Sequence, residues 1–279
     1  MKKIKITCDS ICDLGELYEK YDISALPLTI TLDGEAHLDG VDITPDELYG
    51  FFDETGKLAK TTAANIADYT DFFEKFTDGE TDIIHFCLSS QMSTTFNNAR
   101  LAAEEFDNVY VIDTANLSTG SGLLVLKAVD LIKEGKSAPE IVEIIEKTKP
   151  LVDASFVIND LLYLKKGGRC SSLAALGANL LKLKPCIEVK DGAMGVGKKY
   201  RGNYATVLKE YVKDRLTDVD IDTTRVFVTH SGVDDSVCRE VIELVKSTMH
   251  FDEVLFTRAG CTISAHCGPD TLGVLFIKK

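Results

Sequence analysis

Long apolar runs are the first thing the sequence lacks. Nowhere do about 18 apolar residues stand together, so no spanning helix is expected. The opening Met1-Lys2-Lys3 runs straight into a short alternating segment, with neither the length nor the flanks of a secretory leader, and a cytoplasmic protein is expected. Basic residues are also few: 31 against 44 acidic ones leave a formal charge of −13. Phosphate backbones repel such a chain, which disfavours nucleic-acid binding. The densest basic spots are Lys182, Lys184, Lys198, Lys199 and Arg201. No C-x-x-C pair and no H-E-x-x-H helix occurs; Cys8 and Cys12 stand four apart, and Cys261 and Cys267 flank His266. No metal site is expected from this, and the eight cysteines read as free thiols. No serine sits in a G-x-S-x-G elbow, and there is no internal repeat.

What is present is an ordinary globular composition, 45% hydrophobic and 27% charged, in a chain of 279 residues. That is long for one domain, and two domains sharing a cleft are expected. Short apolar runs alternate with amphipathic segments, the pattern of an α/β chain with parallel strands. Strands are predicted at 4–7, 83–88, 109–112, 154–157, 226–229, 254–257 and 273–277, and helices at 14–21, 66–76, 123–133, 173–181, 204–216 and 236–247. A further helix ends near Glu105. Asp33-Gly34 predicts a hairpin between 26–32 and 35–38, and Asp191-Gly192 a second one after 186–189. Thr44-Pro45-Asp46-Glu47 and Ser137-Ala138-Pro139-Glu140 both have the spacing of a capping box with proline near the helix start. Pro150 marks a boundary between domains 1–150 and 151–279, and a lysine-glycine loop is expected at Lys165 to Arg169.

Two glycine-rich stretches invite a nucleotide reading and fail it. Gly192 to Gly197 is followed by Lys198-Lys199, where a phosphate loop needs a serine or threonine and a helix. Gly120-Ser121-Gly122 lacks the third glycine of a dinucleotide fingerprint, since Val125 stands there, and reads as a tight turn into a helix. No cofactor is expected.

Five ordered stretches carry a family likeness. They are Thr7-Cys8-Asp9-Ser10-Ile11-Cys12-Asp13-Leu14, Lys60-Thr61-Thr62, Leu88 to Phe96 around Ser93, Tyr163 to Arg169, and His266 to Gly273. Together they resemble the DegV family of bacterial fatty-acid-binding proteins, the acyl carriers of fatty-acid kinases. The resemblance implies an α/β fold of two domains: an N-terminal parallel-sheet, three-layer domain and a C-terminal domain with a mixed sheet. A long-chain fatty acid lies between them, and the protein itself does no chemistry. It implies that Thr61, Ser93 and Thr94 bind the carboxyl group, that Arg169 and His266 form a polar shell around it, and that Arg201 docks the partner kinase. It also implies transient contact with a membrane surface for lipid exchange. The sequence departs from the usual family pattern at Thr62-Ala63-Ala64, at Thr94 and at Cys170.

The residue types suit that task. Burying an acyl chain gains roughly 0.8 kcal/mol per methylene, about 10 kcal/mol for a long chain before ordering costs. A bare buried carboxylate would erode the gain, whereas hydroxyl donors satisfy it without adding charge. Taken singly, the same residues have simpler readings. Ser93 reads as a helix cap, Arg169 as part of a surface turn, His266 as a loop histidine, and Asp9, Ser10 and Asp113 as anchors of local turns. A rival from another class is a serine hydrolase or acyltransferase using Ser93 with His266. A third reading is a regulatory module in which the bound lipid only tunes a partner.

Overall fold

The computed structural model of the chain describes residues 2–172 and 183–279. Its first strand, β1 (Lys3–Asp9), is buried along its last four residues, as a strand covered on both faces must be. There follow α1 (Leu17–Lys20), β2 (Ser24–Leu26), β3 (Thr29–Leu32), β4 (Glu35–Leu38), α2 (Pro45–Thr55), β5 (Lys60–Thr62), α3 (Ile66–Glu74) and β6 (Thr81–Cys87). Next come α4 (Thr95–Ala103), β7 (Val109–Asp113), α5 (Ser118–Lys133), α6 (Ala138–Thr148), β8 (Val152–Asp153), β9 (Ser155–Ile158) and α7 (Leu162–Gly167). The chain then runs through β10 (Leu183–Lys190), β11 (Ala193–Arg201), α8 (Tyr204–Leu216), β12 (Ile221–Ser231), α9 (Asp235–Thr248), β13 (Glu253–Arg258), α10 (Cys261–Cys267) and β14 (Thr271–Lys278).

The α/β reading is correct. One sheet, β2-β1-β6-β7, is parallel throughout. The other large sheet, β11-β10-β9-β14-β12-β13, has β8 paired to β14 and is mixed, with only β12 and β13 parallel. A small antiparallel sheet, β4-β3-β5, stands apart from both. Local chemistry explains several element ends. Thr44 and Ser137 form the capping boxes their spacing predicts, and Asp33 and Gly34 take φ of 50° and 99° in the turn from β3 to β4.

Four expectations need correction. The helix at 14–21 shrinks to α1, because a 3-10 turn at Ser10–Cys12 and left-handed Asp13 and Gly15 occupy the residues before it. The strand at 26–32 is two strands in different sheets, broken at Pro27, and the Leu28 N–H donates to Ser10 Oγ. The tight turn at Gly120-Ser121-Gly122 is instead helical, since α5 starts at Ser118. A side chain at Gly120 would collide with Asn116, and one at Gly122 would come within 2.9 Å of the Cys12 carbonyl, so close packing selects glycine there. The Lys165–Arg169 loop is partly helical: Lys165 to Gly167 end α7, and Gly168 caps it at φ 70°. The helix predicted at 173–181, and Lys182, lie outside the described residues.

Among the described residues, the largest of three buried clusters spans both large sheets. Ile6 and Leu124 belong to one buried cluster with Phe156 and Leu275 of the mixed sheet. At its centre lies α5, buried over most of its length and packed against β1 and β6 as well as β8 and β14. Thr119 Oγ1 on this helix lies 2.6 Å from Thr229 Oγ1 of β12. Among the described residues no helix is long and apolar enough to cross a membrane.

Candidate functional site

Open parallel sheets hold ligands beyond the carboxyl ends of their strands. Here β1, β6 and β7 deliver the loops after Asp9, Cys87 and Asp113 to one edge, and buried acceptors fix those loops. Asp9 accepts from the Leu88 N–H at 2.9 Å and the Tyr69 hydroxyl at 2.6 Å; Asp113 accepts from the Ser90 and Ala115 N–H groups at 3.2 and 2.8 Å. Ser10 Oγ accepts from Leu28 N–H and donates to Asp39 at 3.0 Å. Asp113, bonded to Ala115 two residues on, anchors a local turn as expected, whereas Asp9 and Ser10 tie together segments far apart in the sequence, and the loops they hold form cavity walls.

The cavity beyond those loops has a volume of about 610 Å³, inside the usual range for a small-molecule site. Leu88, Ser90, Met92, Ser93 and Thr94 come to it from the loop between β6 and α4, and Thr61, Thr62 and Ala63 from β5 and the residue after it. The facing wall is α10, with Thr262, Ile263, His266 and Cys267; Arg169, Leu28, Leu117 and Met194 also line the cavity. The sheet hairpin that brings Met194 is pinned at its tip, where Ser89 Oγ donates to the Gly192 carbonyl at 2.6 Å.

Five residues singled out in the sequence thus meet: Thr61, Ser93, Thr94, Arg169 and His266 all line one cavity. Arg201, at the exposed end of β11, does not. His266 is no loop residue but sits on α10, with Nε2 2.8 Å from Thr61 Oγ1 and Nδ1 buried without a partner among the described residues. Burial, then the charge of Arg169, pushes its pKa down to about 4, so the imidazole is neutral at pH 7. Gly167 lies against the ring: a Cβ there would fall 2.6 Å from Nδ1. Ser93 is not the cap of α4, which is Thr94; from one residue earlier its Oγ accepts from the Thr95 N–H at 3.3 Å, and Arg169 Nη1 donates to the Gly167 carbonyl at 2.7 Å. The hydroxyl that His266 Nε2 meets is that of Thr61 rather than of Ser93, which is not the pairing a serine nucleophile needs.

Sequence reasoning missed what holds α10. Asp39 accepts from the Cys261 and Thr262 N–H groups at 2.7 and 3.1 Å, and Asp13 from the Gly260 N–H at 2.8 Å and from the Ser118 hydroxyl. A Cβ on Gly260 would lie 3.1 Å from Asp39 Oδ1 and 3.3 Å from Asp13 Oδ1, so glycine lets both carboxylates close in. Burial raises Asp13 to about 8 despite the opposing hydrogen bonds from Ser118 and Gly260. Asp13 belongs to the opening motif; nothing local marked Asp39.

Ligand atoms of Asp9, His85 and Cys87 lie within 4.8 Å of one another. Asp9 and His85 are engaged there by hydrogen bonds among themselves, Tyr69, Leu88 and Thr7. Burial, with Asp9 alongside, holds the Cys87 thiol well above its ordinary pKa, which opposes the thiolate a metal requires. The run from Gly192 to Lys199 forms the turn and strand of an antiparallel hairpin, not a phosphate-binding loop.

Comparison with known proteins gives a consistent result. A family model described as "Uncharacterised protein, DegV family" matches residues 3–279. DegV domain-containing proteins of Caldanaerobacter subterraneus subsp. tengcongensis and Clostridium acetobutylicum are 34% and 36% identical, each over 284 residues and 100% of both chains. Among solved structures, a fatty-acid-binding DegV family protein from Thermus thermophilus matches with a TM-score of 0.90 and 26% identity over 100% of both chains. A stearic-acid-binding protein from Eubacterium ventriosum matches with a TM-score of 0.84 and 30% identity, covering 99% of this chain and 98% of that one.

Proposed function

We propose that this chain, which belongs to the DegV family, binds one long-chain fatty acid in the 610 Å³ cavity and presents its carboxyl group to a separate ATP-dependent kinase. The observation that carries the reading is the convergence of Thr61, Ser93, Thr94, Arg169 and His266 on a cavity whose other walls include Leu28, Leu88, Met92, Leu117, Met194 and Ile263. The apolar walls take the tail, and two flexible methionines adapt to its shape. Thr61, Ser93 and Thr94 supply neutral donors for the carboxylate. His266, neutral at pH 7, adds no charge, and exposed Arg169 is the cation at the mouth. Domains 1–150 and 151–279 each supply one side of the site.

In the reaction with the kinase, a carboxylate oxygen attacks the γ-phosphorus of ATP. The new bond joins that oxygen to phosphorus, the bond from phosphorus to the β-phosphate oxygen breaks, and ADP leaves. This chain contributes position and shelter from water, and no general base. Arg201 docks the kinase, and the acyl phosphate passes to membrane lipid synthesis through transient contact of this cytoplasmic protein with the bilayer surface.

The test begins with denaturing extraction of freshly purified protein and mass spectrometry of the released lipid. About one equivalent of fatty acid is expected, and Thr61→Ala and Ser93→Ala should each weaken retention about 10- to 150-fold, the worth of one hydrogen bond to a charged group. Adding a fatty-acid kinase and ATP should yield acyl phosphate, less of it with Arg201→Glu. An empty protein that also refuses added fatty acids would refute the reading.

A further inference from the structure

Behind one wall of the cavity lies a second, smaller space. Leu117, Ile263 and Cys267 line both, and Ile263 and Cys267 stand four apart on α10, on one face of it. The small chamber occupies about 30 Å³, room for little more than one methyl-sized group. Its other side is the mixed sheet. Thr229 and Ser231 alternate on β12, Thr271, Gly273 and Leu275 alternate on β14, and Phe156 comes from β9. The hollow stands where Gly273 brings no side chain to that face: a Cβ there would lie 3.1 Å from Leu275 Cδ1 and 3.2 Å from Phe156 Cβ. The lining residues are all buried, so the chamber adjoins the larger cavity and not solvent.

The polar side chains of this wall are already engaged within the protein. Thr229 Oγ1 lies 2.6 Å from Thr119 Oγ1 and 3.1 Å from Thr257 Oγ1, and Ser231 meets Tyr49 and Ser264. Thr271 Oγ1 donates to the Cys267 carbonyl at 3.1 Å, Ser118 donates to Asp13, and His230 Nδ1 accepts from the Val233 N–H at 3.3 Å. A buried water needs roughly two to four polar partners, whereas an alkyl group needs none. A closed chamber holds the end or a branch of a chain, not its middle. We propose that this one is a specificity pocket for the acyl tail, taking a single methyl group, either the last carbon of a straight chain or a terminal methyl branch. The assignment rests on the fatty-acid reading above and adds to it a choice among chains. Burying one carbon there favours the acid that delivers it about fourfold over one that falls short. A longer chain meets close-packed walls. Ala259 and Leu275, which line the chamber but not the larger cavity, set its depth.

Titration calorimetry on lipid-stripped protein reads this with the saturated straight-chain acids from laurate to arachidate, each beside the acid bearing one extra methyl on its penultimate carbon. Affinity should rise about fourfold per added carbon until the chamber is filled, and then stop rising. Ala259→Val fills the chamber and should move that limit to a shorter chain. Leu275→Val removes one carbon from the wall and should move it to a longer one. Where the occupant is a branch, the parent should prefer the branched acid about fourfold over the straight acid of equal backbone length, and Ala259→Val should lose that preference. A limit and a branch preference that both variants leave unchanged overturn the assignment. So does an equal loss for every chain in Ala259→Val, or a limit that both variants move the same way, which are marks of a packing role. A parent protein that binds none of these acids refutes the fatty-acid reading itself.

Discussion

His266 gives the most direct electrostatic test of the cavity. Its pKa falls from 6.5 to about 4 because the ring is buried and Arg169 stands nearby. Between those two values the unfolded chain binds a proton that the native protein does not, so stability declines as pH drops. The contribution is fully present above pH 6.5 and is lost through pH 4. Using 1.36 kcal/mol per pKa unit, the loss is about 2 kcal/mol at pH 5 and approaches about 3 kcal/mol below pH 4. Urea unfolding of lipid-free protein at pH 7.5 and 5.0, beside His266→Gln, isolates this share from other titrating groups. The parent should lose about 2 kcal/mol more than the variant between the two pH values. Parallel losses would refute the buried neutral imidazole. The ring protons observed by NMR should titrate near pH 4 in the empty protein, and higher once a carboxylate is bound beside them.

Two further substitutions probe how the site is held. Gly167→Ala places a methyl 2.6 Å from His266 Nδ1, and the ring must leave Thr61 to accommodate it. Fatty-acid affinity should fall about two- to tenfold by calorimetry, and an unchanged value would show that the ring yields without cost. Asp39→Ala orphans the Cys261 and Thr262 N–H groups and the Ser10 hydroxyl, and should cost about 3 kcal/mol or more in urea unfolding. A loss under 1 kcal/mol would mean that water replaces the carboxylate.

Much of the fold was legible because its signals are local. The capping boxes at Thr44 and Ser137 and the Asp33-Gly34 turn need only neighbouring residues, and all three formed. By contrast, α10 was invisible: six of its seven residues are buried, so it has no amphipathic period, and its cap arrives from Asp13 and Asp39, more than two hundred positions away. The three residues of β5 acquire strand form only by pairing with β3, Thr62 opposite Thr29 and Thr61 opposite Ile30. Gly120 and Gly122 read as a tight turn because the packing that demands them involves the side chain of Asn116, four residues before Gly120, and, against Gly122, Cys12 and Leu14 from the far end of the chain's sequence. Thr61, Ser93 and His266 were recognised through ordered motifs.

The capping of α10 has a consequence for how such a protein can be altered by recombination. The helix belongs to the last tenth of the chain, while the two carboxylates at its tip belong to the first seventh. Its lining of the cavity is therefore not the property of either half. Asp13, Asp39 and Gly260 form a single inherited unit, and a chimera joined near Pro150 keeps its pocket only when both parents supply the same three.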